Sequence, residues 1–177
     1  MELRRILKVI VVLFAFLLII GCSKKQMLSE EEFNDEAKKL NFEILNISNE
    51  LDREIIMKAV SAVSYDFSVE YYISSSKENA DKVLNFNKDK IFRIKKTLPE
   101  NDYKETKKAG NDYYKYTLST DKIYSIVSKI ENSVMYATSE VKNKKNIDLF
   151  FEKMGYWNIL EYIFLFLSNF IQGFFNV

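Results

Sequence analysis

One thiol, two carboxylates four residues apart and a run of three serines are the groupings whose types and spacing could do covalent or acid–base chemistry here. Asp66 and Glu70 would have to converge on one pocket to act as acid and base. On an extended strand that spacing puts them on one face with Ser68 and Tyr72, where the usual exposure of charged residues predicts a solvated outer surface. Ser74, Ser75 and Ser76 have no lysine at the spacing of the serine–lysine motifs, and Ser76 reads better as the cap of a following helix. The chain holds no histidine and a single cysteine, which excludes a histidine-based triad, a Cys/His zinc site and a disulfide framework. The glycines at 21, 110, 155 and 173 are isolated, so no phosphate-cradling loop can form. No catalytic residue, metal or cofactor is assigned, and the expectation is a protein that is not an enzyme. The thiol, Cys22, stands apart because of what precedes it.

Arg4, Arg5 and Lys8 form a positive n-region, and Val9 to Ile20 is an uninterrupted apolar run of twelve residues. That is the length of a signal-peptide core and short of the roughly 20 residues of a membrane-spanning helix. The run closes on Ile19-Ile20-Gly21-Cys22, which resembles the bacterial lipobox. The resemblance implies cleavage after Gly21 and a diacylglyceryl thioether on Cys22. Membrane lipid would then be a partner on the extracytoplasmic face of the cell membrane, or of an outer membrane if the organism has one. Two acyl chains, at about 0.8 kcal/mol per buried methylene, hold stably where one binds marginally. Ser23 follows, so the aspartate that retains some Gram-negative lipoproteins in the inner membrane is absent. In a bacterial lipoprotein the glycosylation-like Asn46-Ile47-Ser48 is irrelevant.

Cleavage removes Arg4, Arg5, Lys8 and Glu2, leaving 23 basic and 24 acidic side chains from the 26 and 25 of the whole chain. Near-neutrality gives no reason to expect nucleic acid as a partner. The basic groups Arg93-Lys95-Lys96, Lys104-Lys107-Lys108 and Lys142-Lys144-Lys145 are interspersed with acids and read as solvated faces, with anionic lipid headgroups as the alternative.

The elements that must position these groups follow from periodicity and punctuation. Residues 22–28 are a short lipidated tether. Ser29-Glu30-Glu31-Glu32 is a capping box, opening a helix with Phe33, Ala37 and Leu40 on one face. Phe42–Ile47 and Ile55–Ser64 read as strands, with a helical turn from Glu50 as the alternative start of the second. Phe67, Val69, Tyr71 and Ile73 alternate with polar residues as a half-buried strand. Ser76 caps a long helix, about Lys77–Lys96, whose inward face is Ala80, Val83, Leu84, Ile91 and Ile94. Pro99, Asn101-Asp102 and Gly110-Asn111-Asp112 are turn chemistry. Tyr114, Tyr116 and Leu118 alternate in the next strand. After the Thr120-Asp121 turn, Tyr124, Ile126, Ser128 and Ile130 share one strand face and Ile123, Ser125, Val127 and Lys129 the other. Glu131-Asn132-Ser133 turns the chain into Val134–Ser139. A helix over about Lys142–Met154 carries Ile147, Phe150, Phe151 and Met154, with Gly155 as its C-cap.

The order helix, strands, helix, strands, helix, with tight turns between strands, predicts an α+β domain over 29–156. Its antiparallel sheet would have about five to six strands, flanked by an N-terminal signal helix over 1–21 and an apolar helix over 157–177. Tyr71, Tyr72, Tyr113, Tyr114, Tyr116, Tyr124 and Tyr136 fall on these strands. Some of them should face outward, in ordinary cross-strand pairs or as a surface for peptides or sugars.

The capped acidic helix behind a short tether, the Val69-Glu70-Tyr71-Tyr72 strand and its following helix resemble a family of small uncharacterised lipoproteins of Clostridia and related low-GC bacteria. So do the Asn111-to-Thr120 strand, the Val127-to-Ala137 hairpin and Glu152-Lys153-Met154-Gly155-Tyr156. The resemblance covers about 1–156 and brings no catalytic residues with it.

Residues 157–177 depart from that pattern. Projected as a helix, Asn158, Glu161, Ser168, Asn169, Gln172 and Asn176 fall within a sector of about 100°, opposite a wide aromatic and aliphatic face. Such a helix lies in a membrane interface, spans the bilayer over about 28 Å, or folds back onto a sheet. Trp157, Glu161, Phe164, Phe170, Gln172 and Phe174 are the residues expected to touch membrane or partner. The function expected is a membrane-anchored extracytoplasmic lipoprotein with a non-catalytic domain that binds an envelope protein or a ligand. The alternative is an accessory subunit of a membrane complex, docking through the C-terminal helix.

Overall fold

Strand residues in this protein send apolar groups to both sides of the sheet, because both sides are covered. The computed structural model describes residues 26–110 and 112–156. In order these are α1 (Glu30–Lys39), β1 (Glu43–Asn46), β2 (Ile56–Val63), β3 (Ser68–Ser74), α2 (Lys77–Lys95), β4 (Lys104–Gly110), β5 (Tyr113–Ser119), β6 (Ile123–Ile130), β7 (Ser133–Glu140) and α3 (Lys144–Lys153). Single 3₁₀ turns over Ser48–Glu50 and Val141–Asn143 precede β2 and α3. The fold is α+β, with one seven-stranded antiparallel sheet in the order β1-β2-β3-β7-β6-β5-β4. The segments 1–21 and 157–177, with the helices expected there, lie outside the described residues.

Two meanders meet at their last strands. Val69 pairs with Ala137, Tyr71 with Met135 and Ile73 with Ser133, which joins β3 to β7 although α2 and three strands lie between them in the chain. Each meander follows a helix, yet α1 and α2 lie on opposite faces of the sheet. A half-turn about the sheet normal that brings β7 onto β3 therefore leaves the helices on opposite sides. The halves repeat in order and not in space.

Against one face, α1 and α3 bury Phe33, Ala37, Ile147, Phe150, Phe151 and Met154 on Val69, Tyr71, Ile126 and Met135. Phe33 stacks on Tyr71 with ring centroids 4.5 Å apart. Both helices end alike. Asn41 (φ 63°) and Gly155 (φ 75°) adopt the left-handed conformation. The amides that follow, of Phe42 and Tyr156, close onto Ala37 and Phe151 carbonyls at 3.1 and 2.8 Å. These Schellman turns drop one aromatic each into the core. Ser29 and Glu32 form the expected capping box.

Against the other face, α2 lays Ala80, Val83, Leu84 and Ile91 on Ala59, Tyr72, Tyr116, Leu118, Val127 and Tyr136. The expected alternation along β6 is correct, with Ile126 and Ile130 on the α1/α3 side and Val127 on the α2 side.

Three expectations change. The sheet has seven strands rather than five to six, because Lys104–Gly110 is a strand. Its sequence, KETKKAG, has no apolar alternation, and it is held extended by edge pairing with β5. Glu70 does not sit on a solvated surface: it lies beneath α2, its side chain 31% exposed. The tyrosines do not form an outward surface. Tyr71, Tyr72, Tyr116, Tyr124 and Tyr136 are buried, since helices occupy both faces, and among the described residues the fully exposed tyrosine is Tyr65 in the β2–β3 turn.

Candidate binding site on the α2 face

The α2 face carries polar groups that gather where β3 and β7 pass under the helix. Glu70 and Tyr72, two apart on β3, point the same way, and Glu70 stands opposite Tyr136 in the β3–β7 register. The Tyr72 hydroxyl donates to Glu70 Oε2, which also receives Lys90 Nζ from α2 at 3.4 Å. Lys90 Nζ lies 4.7 Å from the Tyr136 ring centre and 4.9 Å from that of Phe86, within the range of cation–π attraction. Burial first, then the Glu70 charge, raises the Tyr72 hydroxyl far above its ordinary value. The same two causes push Tyr136 up to about 12. Both tyrosines are therefore neutral donors at physiological pH.

The same design recurs at the other flank of α2. The Tyr116 hydroxyl and Lys95 Nζ both donate to Glu105 Oε2, at 2.7 and 2.9 Å. Those two hydrogen bonds, Lys95 first, hold the Glu105 carboxyl below its ordinary value. Lys95 also stands 4.9 Å over the Tyr103 ring. Beneath the helix, Asn87 is fully buried. Its Nδ2 donates to the Val83 carbonyl at 3.0 Å, and its Oδ1 has no partner among the described residues.

Beside the Glu70 cluster, α2 and the segment before β2 leave a cavity of about 230 Å³. Leu51, Ile55, Ile56, Tyr72, Val83 and Phe86 wall it, with Asp52 and Lys82 at the rim. The rim is pre-set by backbone bonds. Ile56 N–H closes onto the Asp52 carbonyl at 2.9 Å, and Ser75 N–H onto that of Ile55 at 3.1 Å. Ser75 Oγ and Asn79 Nδ2 both donate to the Glu54 carbonyl, at 3.0 and 3.3 Å. Phe86 is 61% exposed at the mouth, on the polar side of α2 among Asn85 and Asp89. It is the one sequence signal that could have found the site: a large apolar residue off the inward stripe. Sequence reasoning missed Leu51 and Ile55 because nothing local distinguishes them from core residues.

A larger hollow of about 560 Å³ runs along Asn101–Lys104 and Ser119–Asp121. Most of its lining is exposed turn residues, so a ligand there would bury little apolar surface. Among the described residues, no group of three or more acidic, histidine or cysteine side chains could hold a metal ion, and no helix is long and apolar enough to cross a membrane.

Ile19, Ile20, Gly21, Cys22, Trp157, Glu161, Phe164, Phe170, Gln172 and Phe174 all lie outside the described residues. Within the basic groups, Lys95 pairs with Glu105 and Lys142 with Glu140 at 2.8 Å, and Lys144 pairs with Asp148. No protein-family model, curated protein or solved structure matches the chain.

Proposed function

We propose that this is a lipid-anchored extracytoplasmic protein of a bacterial envelope, whose α+β domain binds an apolar group of a ligand or partner protein without chemistry on it. The cavity between Phe86 and Leu51 carries the binding half of the reading. Its walls are apolar, its rim is braced before any ligand arrives, and the Tyr72 hydroxyl is already engaged by Glu70. Such a site gains by desolvating apolar surface. Its volume suits a single large side chain or ring better than a whole cofactor.

The anchor half is supported by the leader ending in Ile19-Ile20-Gly21-Cys22, as a signal helix with acylation at Cys22, and by the resemblance to small clostridial lipoproteins. An accessory subunit docking through an apolar helix over 157–177 is the second reading, favoured by the polar stripe around Glu161 and Gln172. That reading predicts co-purification with a membrane partner, lost when the helix is deleted.

Val83→Phe tests the binding half, because the added ring fills the cavity from α2. The expected result is loss of an apolar fluorescent probe's binding with the melting temperature unchanged or raised. Unaltered probe binding sinks the site. Mass analysis of Cys22 in the processed protein tests the anchor.

A further inference from the structure

The two edges of the sheet are finished differently. β1, at one edge, is four residues long, and so short a strand offers little to pair with. β4, at the other, runs seven residues in unbroken register with β5, Lys104 on Ser119 through Gly110 on Tyr113. It contains no proline, and no bulge twists its outer side away. Among the described residues no strand lies beyond it.

The ladder decides which groups face outward. Thr120 N–H bonds the Ile123 carbonyl at 2.8 Å, and Glu131 N–H bonds that of Asp112 at 2.9 Å. Hydrogen-bonded and non-bonded pairs alternate along antiparallel strands, so both bonds aim the backbones of Tyr114, Tyr116 and Leu118 at β6. The backbones of the residues between them are aimed at β4, where they meet Lys104, Thr106, Lys108 and Gly110. The N–H and C=O groups of Glu105, Lys107 and Ala109 are left pointing away from the sheet. Side chains alternate as well. Lys107 is opposite Tyr116 and stands on the α2 side, whereas Lys104, three residues earlier, stands on the other side.

Both lysines are exposed, and among the described residues no carboxylate pairs with either. Lys107 shares the Tyr114 ring with Lys88, their Nζ atoms 5.9 and 5.1 Å from its centre. Glu105, the one acid of β4, is already taken by Lys95 and Tyr116. The edge is thus a row of open backbone groups with positive charge on both faces.

We propose that β4 receives an extended acidic segment of a partner protein as an added strand, its carboxylates three residues apart and facing Lys107 and Lys104. Backbone hydrogen bonds supply the affinity and the two charge pairs the selectivity. The spacing Glu-x-x-Glu reads alike in both directions, so the match does not depend on strand polarity. A second copy of β4 is a poor occupant, because it sets lysine against lysine. Anionic headgroups meet the charges but offer no ladder of donors and acceptors. The edge is a surface of its own and does not depend on the cavity beside Phe86.

The test titrates the isotopically labelled whole chain, in a non-ionic detergent at low salt, with the blocked peptide Thr-Val-Glu-Thr-Thr-Glu-Val-Thr. Amide shifts and exchange are read by NMR up to about 1 mM peptide. The expected result is saturable binding that slows exchange at Glu105, Lys107 and Ala109. A peptide with glutamine for both glutamates should bind about fivefold more weakly, and Lys104→Glu/Lys107→Glu should weaken the acidic peptide at least about tenfold. Ala109→Pro removes an outward N–H and spares the β5 ladder, so it should weaken binding with the melting temperature little changed. No saturation by about 1 mM, equal binding of both peptides, or binding without slowed exchange at those three amides overturns the proposal. So does binding to phosphatidylglycerol vesicles, lost in the double lysine variant, in a chain that ignores the peptide, which assigns the lysines to lipid. Slowed exchange at the same amides on raising protein concentration alone makes the occupant a second copy and overturns it too.

Discussion

The two faces of the sheet are built on different principles. The α1/α3 face is closed by two helices whose Schellman turns deliver Phe42 and Tyr156 inward, and it holds one tyrosine–carboxylate–lysine group of its own at its edge, Tyr124 donating to Asp148, which Lys144 also reaches; its other hydroxyls bond to each other and to carbonyls. Ser133 Oγ, for one, stands beside the Tyr156 hydroxyl and donates to the Ile130 carbonyl at 2.7 Å. The α2 face is covered by one helix, with lysines reaching down each flank to a carboxylate already holding a tyrosine. Packing of the first kind gains by excluding water. The second leaves half-exposed charge and an open cavity, which add little to stability and suit recognition. The incompletely covered face is the one on which binding is proposed.

The largest expected contrast comes from removing one ring on each face. Phe151→Ala, in the α1/α3 core, should cost about 3–5 kcal/mol in urea unfolding. Phe86→Ala should stay within about 0.5 kcal/mol while weakening apolar-probe binding. A comparable loss of stability at Phe86 would make the cavity part of the core and erase the distinction.

Hydroxyl removal probes the same contrast at lower amplitude. Tyr71→Phe deprives the half-buried Leu28 carbonyl of its donor and leaves the buried Tyr156 hydroxyl without one partner, and should cost about 1–3 kcal/mol. Tyr72→Phe leaves Glu70 its Lys90 partner and should cost about 1 kcal/mol or less, again read by urea unfolding.

Alkaline titration probes the charge beneath α2. Tyr136 has a folded value raised to about 12, by burial first and Glu70 second, against about 10 unfolded. Its contribution is fully present below about pH 10 and is lost as pH climbs through about 12, because the unfolded chain gives up the proton first. Tyr136→Phe should lose less stability over that window. An identical decline in both proteins would remove Tyr136 from the account.

The smallest effect is expected at the acid end. Glu105 is held below its ordinary value by Lys95 and Tyr116. That support is present above the unfolded carboxyl value and fades as pH falls through the lower folded one. Glu105→Gln should flatten the acid limb of a thermal-stability profile slightly, since the group is largely solvated.

Local chemistry made much of this fold legible. Ser29 and Glu32 specify the start of α1 through reciprocal hydrogen bonds, Ser76 specifies that of α2, and Gly155 stops α3 because its φ of 75° suits a residue without Cβ. The period of Ile147, Phe150, Phe151 and Met154 determines which side of α3 is buried. The leader proposed from Arg4 to Cys22 is likewise a reading of sequence alone. Tertiary structure decided the rest. KETKKAG is a strand only because β5 offers it an edge, and no residue within it says so. The β3–β7 pairing joins residues too distant for any local signal. Glu70 and the tyrosines change from surface to cover only when helices occupy both faces, since alternation along a strand shows that two faces exist and not what lies against each. The cavity is decided last of all. It is the gap left where α2 and residues 51–55 meet, and a gap is a property of packing that no single segment encodes.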